Sequence, residues 1–254
     1  MTAHSIRQDG SDQDVLKAFN EHVIWGATCL PVFCNDTYDT SLFFTYCHRV
    51  VDETLRVPMV LKLLIVGDGI SRRFTLVLPY SHSECISIRD LMGGVPEFKG
   101  TCFAWSEKEG DPSGFTFADR RLAVAFFAYY ISSVTGARID CIHASPAHSS
   151  YYRQRPLLVA ERGDKVTAIV CAPVDAYRNR PAELTYTFGL QRASAARQHR
   201  KVVIPFSWTL WVDLGELFDV EFEPDVPYMY GVEGPKGKGW LLIETAGDFN
   251  LHHL

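Results

Sequence analysis

The chain has no surplus of positive charge: 25 Lys and Arg stand against 30 Asp and Glu, a formal net charge of −5. Duplex-binding domains usually carry a basic stripe or an overall basic balance, so only a local basic patch keeps nucleic acid open as a ligand. No apolar stretch approaches the ~20 residues of a membrane-spanning helix; the longest helix-like one is Leu122–Ile131. Met1–Gly10 is polar and lacks the apolar core of a secretory signal. There is no C-x-x-C, no H-E-x-x-H and no G-x-S-x-G, which removes the dithiol-redox, zinc-protease and α/β-hydrolase patterns. Internal repeats, heptads and long linkers are also missing. Seven cysteines (Cys29, Cys34, Cys47, Cys85, Cys102, Cys141 and Cys171) are odd in number and widely spaced. A secreted disulfide framework is normally even and dense in a short chain. Free thiols, and with them a cytosolic or nuclear compartment, are the expectation.

What is present is ordinary for a globular protein: 47% hydrophobic and 22% charged residues over 254 positions. A chain of this length buries enough surface to fold without a metal or disulfide staple. Residues 1–10 read as a disordered tail and 11–254 as one globular domain, with a lobe boundary conceivable only at the polar turn near 107–114. Ser11, with Asp14 three residues on, opens a short helix to about His22. Strands are expected over Val23–Phe33, Ser41–Val51, Met59–Val66, Arg72–Tyr80, Phe98–Ser106, Arg138–His143, Glu183–Gly189, Lys201–Val212, Phe218–Glu223, Tyr228–Val232 and Trp240–Ala246. Pro156–Glu161 and Lys165–Pro173 read as a hairpin, and Leu190–Arg200 as a short Ala-rich helix. Thr116 and Asp119 form a capping box for a helix running to about Thr135, with Gly136 as its stop. That helix is apolar nearly all round and so should be buried. The fold class expected is therefore α+β, a predominantly antiparallel sheet packed around one long buried helix.

Few motifs carry chemistry. Leu63–Arg73 is a strand followed by a Gly-rich turn, but its second Gly lacks the Lys-Ser/Thr of a phosphate-binding loop; a hairpin is the better reading. Asp140, Cys141, His143 and His148 bring together side chains able to bind zinc or to form an activated nucleophile, in a setting that also reads as a plain strand end with a loop. Asp213–Asp225 is acidic, with edge protection as its bland account. Tyr151, Tyr152, Arg153 and Arg155, then Arg197, Arg200 and Lys201, place aromatics and cations as an anion or single-stranded nucleic acid would need them. On the expected helix Arg197 and Lys201 share one face, with Arg200 near it. No cofactor, metal or membrane contact is expected. Two functions remain open. One is a non-enzymatic binding protein that meets another protein or itself through its basic middle and acidic stretch. The other is an enzyme for a small or anionic substrate using the Asp140/Cys141/His143/His148 cluster.

Overall fold

The computed structural model describes residues 7–9, 27–45, 58–67, 69–108, 126–146, 154–172, 181–235, 237–245 and 248–253. They form two compact units that divide between His148 and Ser149. Every strand pairing among them is antiparallel.

The first unit has a six-stranded and a four-stranded sheet. The elements are β1 (Arg7–Asp9), β2 (Thr28–Cys34), β3 (Tyr38–Thr45), β4 (Met59–Gly67), β5 (Ile70–Leu78), β6 (Ser83–Ser87), α1 (Ile88–Leu91), β7 (Phe98–Lys108), β8 (Phe126–Ser132), β9 (Arg138–His143) and β10 (Ser145–Pro146). The larger sheet runs β1-β5-β4-β7-β2-β10 and the smaller β6-β3-β8-β9. The Gly-rich turn after Leu63–Val66 is a hairpin: Gly67 pairs with Ile70, and Gly69 takes the positive φ of 72° that a tight turn asks of glycine. At the turn end of that hairpin, β4 and β7 approach so closely that a β-carbon on Gly67 would run into the Lys99 carbonyl, and one on Gly100 into the Val66 carbonyl.

The expectation of a long buried helix is overturned. Among the described residues the two helices have four and five residues, and Phe126–Ser132 is β8. Burial alternates along it: Phe126, Ala128 and Tyr130 are buried, whereas Phe127, Tyr129 and Ile131 are half-exposed. An apolar run shows no helical stripe whether it is a buried helix or a strand packed on one face and crowded on the other, so periodicity could not separate them. Composition could: aromatic and β-branched side chains lose rotamer freedom in a helix and pack well on a pleated surface. Gly136 (φ 68°) belongs to the β8–β9 hairpin, in which the Ser132 N–H donates to Ala137 O at 2.8 Å. The proposed cap residues Thr116 and Asp119 lie outside the described residues, as do the Ser11–His22 helix and Cys47.

The two sheets of this unit are tied along β2. Past Cys29 the β10 side of β2 has no strand partner among the described residues. Side chains of the other sheet take over. Tyr130 of β8 donates its hydroxyl to Pro31 O at 2.8 Å, and the Thr40 hydroxyl of β3 accepts from Phe33 N–H at 3.0 Å while donating to Phe33 O at 2.6 Å. Proline suits that edge, having no N–H to leave unpaired. Phe33 stacks on Tyr130 with ring centroids 5.1 Å apart.

The second unit has two four-stranded sheets built from β11 (Arg155–Leu157), β12 (Lys165–Cys171), β13 (Glu183–Arg192), β14 (Gln198–Pro205), β15 (Thr209–Asp213), α2 (Leu214–Phe218), β16 (Tyr228–Glu233), β17 (Lys238–Thr245) and β18 (Asp248–His253). The sheet orders are β11-β16-β13-β14 and β15-β12-β17-β18. Several local expectations change here. Lys165–Cys171 pairs with β15 and β17 rather than with the preceding segment. Lys201–Val212 is two strands in different sheets. Leu190–Arg200 is the β13–β14 hairpin, not a helix. An isolated helix that short is marginal, and the inward alternation of Leu184, Tyr186, Phe188 and Leu190 holds the chain in the sheet instead. Among the described residues no helix is long and apolar enough to cross a membrane, and six cysteines are free thiols.

Candidate anion-binding face

The sheet formed by β11, β16, β13 and β14 has one buried face. Tyr186, Phe188 and Leu190 of β13 and Tyr228, Tyr230 and Val232 of β16 fill it. The alternate residues form the outer face. Its cross-strand rows follow from the register: Glu233–Thr187–Lys201, then Gly231–Gly189–His199. Two glycines opposite each other leave a shallow bed without side chains. Arg197, from the loop that joins β13 to β14, lies in it. A β-carbon added at Gly189 would come within 2.5 Å of the Arg197 Nε and Nη2, and one at Gly231 within 2.7 Å of Nη2. The loop is fixed by Ser194 at φ 63°, by the Ala193 N–H donating to Pro227 O (3.0 Å), and by Gln191 Nε2 donating to Ala195 O (3.1 Å).

Among the described residues no carboxylate pairs with this guanidinium. Its Nε is buried without a hydrogen-bond partner, and no ion pair among the described residues involves Arg197, His199, Lys201 or Glu233. Three other cations of the unit are paired: Arg192 and Arg162 reach Glu223 (3.2 and 4.0 Å), and Lys165 reaches Asp213 (3.7 Å). The acidic stretch thus serves its immediate neighbours, and some of its carboxylates also cap backbone. Asp213 accepts from Glu216 N–H at the start of α2; the nearby Asp164 accepts from the Ala160 and Glu161 N–H groups. The basic face is left open. It also has apolar borders, Met229 on β16 and Val203 on β14, 36% and 50% exposed.

The structure sorts the sequence candidates. Arg197 and Lys201 share the outer face, for the reason of a two-residue repeat and not a helical one. Arg200, opposite Phe188 in the register, belongs to the other face, with its guanidinium 5.7 Å from the Phe218 ring. Arg155 is exposed on β11 in the row of Tyr230, also away from Arg197. Tyr151, Tyr152 and Arg153 lie outside the described residues. His199 belongs to the same basic run of the sequence; reading the sequence missed Gly189 and Gly231. The signal available was the pair of isolated glycines inside strands, which mark a close approach by another group.

Asp140, Cys141 and His143 lie on β9, with Cys141 and His143 exposed; His148 lies outside the described residues. The Cys141 thiol is held above its ordinary pKa, first by burial and then by Asp140, against the lowering effects of Arg138 and a Tyr129 hydrogen bond. A nucleophilic cysteine needs the opposite shift. His143 Nδ1 is 3.1 Å from Ala144 O. Among the described residues no group of three or more His, Cys, Asp or Glu is arranged to hold a metal ion. No protein-family model and no curated protein matches the chain.

Proposed function

We propose that the chain is a non-enzymatic binding protein whose second unit takes an anionic ligand on the outer face of the β11-β16-β13-β14 sheet. The observation that carries this reading is Arg197: a guanidinium seated on two glycines, its Nε buried, with no ion pair among the described residues. A planar fork in a fixed pose is suited to two-point binding of phosphate or carboxylate oxygens. His199 and Lys201 flank it and add positive charge or donors.

The test is titration with inorganic pyrophosphate and with heparin at low and high salt. Binding should weaken as salt screens the face. Arg197→Ala should cost about tenfold or more in affinity, since hydrogen bonds to charged groups contribute ~1.5–3 kcal/mol. Arg200→Ala, on the opposite face, is the control and should change little. Absence of binding at low salt, or equal losses from the two variants, would refute the reading.

A further inference from the structure

We infer that β14 is a docking edge that accepts an acidic, extended polypeptide segment as a fifth strand of its sheet. The inference goes beyond the anion-binding face, because a strand added at this edge lies on the far side of His199 from the Arg197 bed. β14 closes the sheet on one side and pairs among the described residues with β13 alone. All eight of its residues are exposed or half-exposed. A free edge of this kind presents a row of unpaired N–H and C=O groups, the template for strand addition.

Edges that must stay unpaired are shortened, bulged, interrupted by proline or studded with charge. β14 shows none of the first three within its length; its basic run, which keeps other basic strands off, is what an acidic strand would answer. Its register with β13 is continuous from Gln198 to Ile204, and its proline, Pro205, comes last. Its charge is of one sign: His199, Arg200 and Lys201 stand in succession, no carboxylate lies between Gln198 and Pro205, and none of the three forms an ion pair among the described residues. Val202, Val203 and Ile204 follow, with Val203 half-exposed at 50%. An antiparallel partner would therefore enter with β-branched residues beside Val202–Ile204 and continue with carboxylates beside His199–Lys201. A second copy answers this edge less well: paired antiparallel over its full length, it would set its own Val202–Ile204, and no carboxylate, beside His199–Lys201.

The probe is a fluorescein-labelled, capped peptide, Thr-Val-Val-Glu-Glu-Glu, followed by anisotropy. Its counterpart N-methylated at alternate amides keeps every charge but loses main-chain donors. The unmodified peptide should bind at least about tenfold tighter, a gain of roughly 1.4 kcal/mol. The double variant His199→Glu/Lys201→Glu, changed only at exposed positions, should lose the acidic peptide and gain the Thr-Val-Val-Lys-Lys-Lys version. Arg197→Ala should weaken pyrophosphate binding about tenfold or more yet leave the peptide untouched, so failure of either idea is seen separately. Equal binding of the N-methylated peptide, or no exchange of preference in the charge-reversed variant, would overturn strand addition. A dimer in sedimentation that Val203→Pro dissociates would overturn it too, putting a second copy at the edge.

Discussion

Two tyrosines with the same burial should respond oppositely to loss of one oxygen. Tyr130 and Tyr230 are each fully buried, and burial raises the pKa of both phenols. Tyr130 donates to Pro31 O at 2.8 Å; the Tyr230 hydroxyl has no hydrogen-bond partner among the described residues. Tyr130→Phe keeps the ring on Phe33 but removes the bond and strands a buried carbonyl, which costs about 1–3 kcal/mol. Tyr230→Phe removes a hydroxyl whose desolvation is uncompensated, so it should be neutral or stabilise by up to ~1–3 kcal/mol. Urea unfolding of both variants against the parent reads the difference as a shift in midpoint at unchanged slope. In thermal unfolding each kcal/mol moves the midpoint by about 2–4 °C for the unit of Tyr130 (Met1–His148) and by about 4–8 °C for the smaller unit of Tyr230 (Ser149–Leu254). If Tyr230→Phe costs as much as Tyr130→Phe, or if Tyr130→Phe costs nothing, hydrogen bonding is not what distinguishes the two sites.

Gly67→Ala and Gly189→Ala form a second contrast: the first drives a methyl into backbone and should exceed the ~1–3 kcal/mol of ordinary overpacking, while the second meets only the tip of Arg197 and should keep the unfolding midpoint but lower pyrophosphate affinity. Phe126→Asp should unfold the first unit, beyond about 4 kcal/mol, whereas Phe126→Leu should cost about 1.5 kcal/mol; circular dichroism and melting decide. In native alkylation followed by mass spectrometry, Cys85 and Cys141 should label and Cys29, Cys34, Cys102 and Cys171 should not. Because burial raises the pKa of both exposed thiols, their labelling should be slower than that of free cysteine at neutral pH and speed up as pH rises.

Local chemistry was readable where it suffices to dictate structure. The β4–β5 hairpin follows from Gly67 and Gly69 between two alternating runs, and β9 has the bounds its pattern suggests. Pairing across long separations was not readable: nothing near Lys165–Cys171 says that its neighbours are Thr209–Asp213 and Lys238–Thr245. Phe126–Ser132 was misread because an uninterrupted apolar run hides its period. For the site, Arg197 and Lys201 stood out by charge, yet their grouping depends on the two-residue repeat and on the facing glycines of strands that lie far apart in sequence. That same repeat sends Arg200 the other way.

The seal on β2 has a consequence for how the chain is made. Tyr130 and Pro31 are separated by 99 positions. During synthesis from the N-terminus the β2 edge emerges long before the side chain that closes it. Thr40, only seven residues from Phe33, can cover part of that edge early. The Pro31 carbonyl must wait for β8. Assembly of the first unit is then governed by late, non-local contacts, which slow folding, and its nascent chain carries an open strand edge for the length of that delay.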